Sequence, residues 1–389
     1  MMHIDNLIDI KYKNIKSIID YIRFKKNCTK KEISDSLKLS FATVSNMINL
    51  LMSKDLISKT TVDNSRSVGR NPKNFNFKPD RFCIITIDLH LDEYLSICQV
   101  DLARKILARE TYEIGCYNDI GQFIQKVKNI YKNFVISTNI DADSIIGFGI
   151  IIKGIYDNQT DCMISSENKI FIGQPLRKLL GEALEKFVIV ENDANIAALF
   201  SAISSGIRDL MYVYLGEGLG FSVISGGNIL RGTSGYSPEI DHIPMGRIKV
   251  KCPYCGNDNC LSTDLSQNGF LTKYYKSDFL YKKTYKFEWE EYIKQIRLGD
   301  AHAIDVANEN AIILGKSLAI ATCITWPSKI IIGGIPQELY LIMKPVIENQ
   351  INSRKPFGDN INLCFDPNWQ DTIAKGAAEI IYLNWLPDL

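Results

Sequence analysis

Four side chains within one short stretch have the chemistry of a metal centre. Cys252 and Cys255 form a Cys-X-X-Cys pair, Cys260 follows five residues later, and His242 precedes Cys252 by ten. Three thiolates and one imidazole are a known closed tetrahedral zinc set with no position left open for a substrate. Gly256-Asn257-Asp258-Asn259, between the second and third thiols, is turn chemistry that lets the chain loop back. One structural Zn2+ is expected, held by His242, Cys252, Cys255 and Cys260. A second group is Glu191-Asn192-Asp193-Ala194-Asn195, directly after the apolar run Val188–Val190 and ahead of Ile196, Ala197 and Leu199. Polar groups at the end of a buried strand face the ligand cleft in α/β folds. Asp193 can accept a hydrogen bond from a hydroxyl or take its proton as a general base. A helix cap by Asn or Asp accounts for the same pattern.

These groups need a scaffold, and composition bounds it. The chain has 389 residues, 46% hydrophobic and 23% charged, with 12 Pro and 25 Gly. At about 100–200 residues per domain this is two or three globular domains, and disordered and collagen-like classes are excluded. No run of about 18 apolar residues predicts a membrane-spanning helix. The start lacks a basic segment followed by an apolar stretch, so no secretory signal is expected. The ten cysteines are then thiols of a reducing compartment, and a cytoplasmic location is expected. From Arg81 onward, apolar strands (Cys83–Asp88, Tyr94–Val100, Ser144–Ile152, Val188–Val190, Leu210–Leu215, Phe221–Ile224, Lys329–Ile332) alternate with helices such as Ile120–Phe134 and Leu176–Phe187. This pattern predicts mixed or parallel sheets covered by helices, in two halves with a cleft between them.

The net charge of +1 hides an asymmetry. Residues 1–80 carry 15 Lys/Arg against 8 Asp/Glu, and the remainder carries 30 against 36. A basic head on an acidic body suggests that only the head meets a polyanion. Ile15, Ile18, Ile19 and Ile22 mark a first helix ending near residues 25–27. Thr29 and Glu32 fit a capping box for a second helix reaching about Leu37. Ser40 caps a third, whose apolar face is Val44, Met47, Ile48 and Leu51. Two short helices joined through Lys38, Leu39 and Ser40 are the helix-turn-helix pattern. Thr43, Ser45, Asn46 and Asn49 on the third helix can reach base edges and phosphates. Two strands, Leu56–Val62 and Asn74–Phe77, flank a basic wing whose Arg66, Arg70 and Lys73 can contact phosphates or enter a minor groove. Helical spacing alone fits a protein-interaction module equally well; the charge, the caps and the wing favour double-stranded DNA.

The order of these motifs resembles the repressor branch of the ROK family (repressors, open reading frames and sugar kinases) over nearly the whole length. Gly69-Arg70-Asn71-Pro72 matches its wing and linker element, and Glu191–Asn195 its asparagine-aspartate motif. Gly216-Glu217-Gly218-Leu219-Gly220 matches its phosphate loop, Pro238-Glu239-Ile240-Asp241-His242 its sugar motif, and Cys252, Cys255 and Cys260 its zinc positions. Ile331-Ile332-Gly333-Gly334 and Gly376-Ala377-Ala378 match its late glycine elements. The resemblance implies a winged helix-turn-helix at 1–80, then an actin-like body with lobes at 81–200 and 201–389, the last helix returning to the first lobe. It also implies that Asn192, Asp193, Glu239 and His242 contact a sugar, with His242 ligating zinc as well.

Departures from the kinase pattern argue against bound ATP. Asp88-Leu89-His90-Leu91-Asp92 carries side chains where kinases have glycines, Glu217 stands where a threonine is usual, and Phe221 replaces a glycine. Ser262 replaces a usual glutamate, and Pro238 and Asp241 stand where glycines are common. The expected function is a sugar-controlled DNA-binding repressor of carbohydrate-utilisation genes and not an enzyme; the alternative is a sugar kinase with a DNA-binding head. One head makes few phosphate contacts, so a homodimer or dimer of dimers on an inverted-repeat operator is expected.

Overall fold

A computed structural model describes residues 2–61, 73–89, 94–115, 117–252, 255–280, 282, 285–354, 358 and 360–386. The head comprises α1 (Met2–Lys25), β1 (Cys28–Thr29), α2 (Lys30–Leu37), α3 (Phe41–Ser53), β2 (Ile57–Thr61) and β3 (Lys73–Phe77). Thr29 and Glu32 form a reciprocal capping box, in which Thr29 Oγ1 accepts from the Glu32 N–H and Glu32 Oε2 accepts from the Thr29 N–H at 2.7 Å. Lys38 turns left-handed (φ 54°) to end α2, and Ser40 caps α3 by accepting from the Thr43 N–H. Ile15, Ile18, Ile19, Ile33, Val44, Ile48 and Leu51 are fully buried and lock the three helices over a sheet ordered β1-β3-β2.

The body repeats one topology twice. The first unit holds β4 (Cys83–Asp88), β5 (Tyr94–Asp101), β6 (Ile106–Glu113), α4 (Ile120–Thr138), β7 (Ile145–Ile152), the hairpin β8 (Ile155–Asp157) and β9 (Cys162–Ser165), α5 (Leu176–Leu184), β10 (Val188–Asn192) and α6 (Asp193–Ser205). The second holds β11 (Leu210–Leu215), β12 (Leu219–Ser225), β13 (Asn228–Ile229), α7 (Ser262–Leu265), α8 (Gln267–Tyr275), α9 (Lys286–Leu298), α10 (Ala301–Thr325), β14 (Lys329–Gly333), α11 (Gln337–Asn352), β15 (Asn362–Phe365) and α12 (Trp369–Trp385). The sheets run β6-β5-β4-β7-β10 and β13-β12-β11-β14-β15. In each, three antiparallel strands continue into two parallel ones, which is the duplicated actin-like plan. β4, β7 and β11 are nearly continuous apolar runs because helices or neighbouring elements cover both faces.

α12 leaves the second unit and packs on the first sheet and on α6. Two glycines permit this approach. A Cβ on Gly376 would lie 2.6 Å from Ile196 Cγ2 on α6, and one on Gly149 of β7 would lie 2.8 Å from the Ala377 carbonyl oxygen. The far side of α12 receives the head. Ile15, Ile18, Ile19 and Ile22 share one core with Ile381, Tyr382 and Leu386. At the centre, Glu379 (3% exposed) accepts two hydrogen bonds of 2.7 Å from Arg104, while the Arg23 guanidinium lies 3.8 Å away and sits over the Tyr382 ring at 5.1 Å. Burial pulls Arg23 below its ordinary pKa, against the opposing field of Glu379.

Removing one member of a buried ion cluster leaves uncompensated charge, at about 3–5 kcal/mol. Glu379→Leu is expected to destabilise the head-body junction by that order. The readout is earlier urea unfolding, with protease cleavage between residues 78 and 83 appearing first. Unchanged unfolding and an unchanged cleavage pattern would contradict this role.

Candidate functional site

The Glu191–Asn195 motif spans the end of β10 and the first turn of α6. Asn192 is the helix cap; its Oδ1 accepts from the Ala194 and Asn195 N–H groups (2.9 and 3.2 Å), and its Nδ2 donates to the Gly154 carbonyl at 3.2 Å. Asp193, 4% exposed, follows at the positive end of α6 and borders the cleft. Glu191 turns the other way and becomes a hub. Its Oε1 accepts from the Asn192 N–H and from Asn195 Nδ2, both at 2.9 Å, and its Oε2 pairs with Arg231 and accepts from Asn158. Ser237 donates to Asn195 Oδ1 at 2.9 Å, and Arg231 donates to the Gly235 carbonyl at 2.9 Å. The hub thus fastens the 231–242 loop of the second lobe to the first.

That loop brings Glu239, Asp241 and His242 to the cleft beside Asp193. Partial desolvation in the cleft, reinforced by the neighbouring carboxylates Asp241 and Asp193, raises the Glu239 carboxyl above the usual carboxylate range, although the side chain keeps access to solvent. Asp241 Oδ1 is buried and has no hydrogen-bond partner among the described residues. A bound hydroxyl group would satisfy it. Across the cleft, Lys153 Nζ lies 2.8 Å from Glu167 and 3.8 Å from Glu217, linking the two lobes at the loop between β11 and β12. Phe221 also lines the cleft.

The His242, Cys252, Cys255 and Cys260 ligand atoms all lie within 4.8 Å of one another. His242 Nδ1 is 3.8 Å from Cys252 Sγ, and the Cys255 and Cys260 sulfurs, both free thiols, are 3.4 Å apart. Separations of this size suit donors about 2.0–2.3 Å from a common tetrahedral ion, so the set fits a metal. His242 Nε2 lies 3.2 Å from Asp241 Oδ2. One imidazole can therefore address a metal with Nδ1 and the cleft with Nε2, and Asp241 stands where a ligand-orienting carboxylate belongs. Behind the cluster, fully buried Asp264 pairs with Lys273 and accepts from the Arg247 and Ile248 N–H groups (2.6 and 3.1 Å), pinning the excursion.

In the head, Asn46 and Asn49 are exposed on α3. Thr43 and Ser45 are half-buried: Thr43 bonds Ser40 through the side-chain hydroxyls at 2.8 Å, and Ser45 accepts from Lys30 Nζ at 2.7 Å. Lys73 is exposed at the start of β3. Arg66 and Arg70, Gly69-Arg70-Asn71-Pro72, and residues His90, Leu91 and Asp92 lie outside the described residues. Sequence reasoning did not select Asp241, Lys153 or Arg231. A carboxylate two residues after Glu239 was a local signal for the first, whereas the other two depend on partners far along the chain, Lys153 on Glu217 and Arg231 on Glu191.

The ROK family model matches residues 86–361. A xylose repressor of Bacillus spizizenii is 23% identical over 383 residues, 97% of each chain. One of Caldicellulosiruptor bescii is 25% identical over 66% of this chain, which spans 64% of that protein. A glucokinase of Halalkalibacterium halodurans is 30% identical over 52% of this chain and 65% of its own. Among solved structures, a ROK family transcriptional regulator, described as a homologue of E. coli MLC protein, superposes with a TM-score of 0.80 at 21% identity, covering 97% and 98% of the two chains.

Arg231→Leu is expected to leave Glu191 buried without its cation, lowering stability by about 1–3 kcal/mol and loosening the 231–242 loop. Hydrogen exchange should rise in that loop and at the first turn of α6 together. Faster exchange in the loop alone would contradict the hub.

Proposed function

The chain belongs to the ROK family, and from that premise we propose that it is a sequence-specific DNA-binding regulator. It represses carbohydrate-utilisation genes under the control of a sugar or sugar derivative bound between the lobes. The observation that carries this reading is the continuous packing from Asn192 and Asp193 on α6, through α12, to α1 of a basic helix-turn-helix head. Residues 1–80 form the DNA-binding unit, 81–200 the first lobe and 201–389 the second, with α12 returned to the first. Thr43, Ser45, Asn46, Asn49, Arg66, Arg70 and Lys73 are the proposed DNA contacts. Chromosomal DNA as partner makes the cytoplasm the place of action. A dimer on an inverted repeat supplies the second half-site that one small head needs.

A sugar presents hydroxyls that both donate and accept. Asp193 and the orphan oxygen of Asp241 accept, and Glu239, His242 Nε2 and the second Nδ2 proton of Asn192 complete a mixed set. Zinc on His242, Cys252, Cys255 and Cys260 holds the loop that carries these groups and supplies no open coordination position. Phosphoryl transfer needs a donor held in line with the acceptor. Glu217, paired across the cleft with Lys153, places a carboxylate where a phosphate would approach, and like charges repel by several kcal/mol when partly desolvated. Asp193 therefore selects the ligand instead of activating it.

Full-length protein is expected to retain specific genomic fragments and to release them, or bind them more tightly, by about 5–150-fold with one sugar of a panel. Asp193→Ala should keep DNA binding and lose that response; a normal response would remove Asp193 from the sugar site. Appreciable ATP-dependent phosphorylation of a hexose would instead establish the kinase alternative. Elemental analysis should return one zinc per chain, and Cys260→Ser should lose it, with Met245–Thr263 becoming protease-sensitive and the sugar response failing before DNA binding does. Substoichiometric zinc in freshly purified protein would count against the assignment.

A further inference from the structure

The side chains that α3 offers to solvent restrict which bases it can read. From Phe41 to Ser53 the helix contains no Arg, Lys, Asp or Glu. Val44, Ile48 and Leu51 face the core at 0% exposure. Phe41 (58% exposed), Ala42, Asn46 and Asn49 form one exposed stripe, at successive angles of about 0, 100, 140 and 80° around the axis. Thr43 and Ser45 are held by Ser40 and Lys30, and Lys30 itself is drawn inward over the Phe75 ring (5.9 Å). The outward groups are a phenyl ring, a methyl group and two carboxamides, with the Ser53 hydroxyl at the far end bonded back to the Leu50 carbonyl.

Each base edge in the major groove demands its own partner. Guanine is read by the paired donors of Arg or Lys, and cytosine by a carboxylate; this stripe carries neither. Adenine is read by a carboxamide, which donates and accepts at once, and the thymine methyl by an apolar contact. The stripe carries both of these. Phe41 stands at the first position of a capped helix, and the N-terminal turn is the part of a recognition helix that enters the groove. We infer that α3 reads A·T base pairs, Asn46 and Asn49 bonding adenine edges while Phe41 and Ala42 pack on thymine methyl groups. This rests on the DNA-binding reading above, with Lys31, Lys38, Lys59 and Lys73, all exposed around the helix, left to the phosphates.

The test is selection of bound duplexes from a randomised pool with the full-length chain, repeated with Phe41→Ala and Asn46→Ala. Both side chains are exposed, so both variants should fold and keep the unperturbed helix. Positions whose preference weakens in a variant are those α3 reads, and they are expected to be A·T. Replacing thymine by uracil at the Phe41-dependent position removes one methyl group and should weaken the wild type about 4-fold, while leaving Phe41→Ala unchanged. Selection of G·C at the variant-sensitive positions, or an equal effect of uracil on both proteins, overturns the inference while the DNA-binding function stands. Failure to select any sequence removes the DNA-binding function and this inference with it.

Discussion

A single carboxylate with 3% exposure, Glu379, binds two guanidinium groups that arrive from opposite directions: Arg104 from the first sheet and Arg23 from the head. With Asp20, 4.0 Å from Arg23, the cluster sets two carboxylates against two guanidinium groups, and its buried members are tolerated only while they stay in register. Around it lies an apolar seam of Ile15, Ile18, Ile19, Ile22, Ile381, Tyr382 and Leu386, which would otherwise let the head slide on α12. Apolar burial supplies the attraction, and the ion cluster fixes the geometry. The basic head is therefore part of a packed assembly, and its orientation is set by where α12 sits.

Where α12 sits depends on α6. The close approaches at Gly376 and Gly149 leave no slack for a side chain, so a shift of α6 must be passed on or resisted. The first turn of α6 is also where the cleft begins. Asn192 caps the helix and Asp193 extends it, so a ligand that engages these residues pulls on the end of a rigid rod. The opposing wall is tied to the same turn by Glu191, through Arg231 and through Asn195 with Ser237. In the function proposed above, closure of the lobes over a ligand would displace α12. A difference of about 1–3 kcal/mol between open and closed arrangements is enough for regulation.

Local chemistry made much of this legible in the sequence. The Thr29–Glu32 capping box and the apolar run Cys83–Asp88 are encoded within a few residues, and they lie in the structure where the spacing places them. Likewise, the thiol spacing and the turn at Gly256–Asn259 mark the three cysteines that lie together with His242 in the structure. Long-range pairings were not legible. Nothing near Glu379 marks it as the partner of residues 275 and 356 positions earlier, and nothing near Lys153 points to Glu217. The outward face of α3 shows a subtler limit. Helical spacing groups Thr43 and Ser45 with Asn46 and Asn49, but the hydroxyls are short and find partners within the head, whereas Phe41 and Ala42 precede the amphipathic pattern and complete the stripe.

Regulation through this fold requires that occupancy of the cleft be felt at the head. Hydrogen exchange of the full-length chain, with and without a sugar that raises its thermal stability, reads this directly. The predicted result is a coordinated change in protection at three places: the first turn of α6, the segment of α12 around Glu379, and the C-terminal half of α1. A change confined to the cleft loops, with α12 and α1 exchanging as in the free protein, would contradict it.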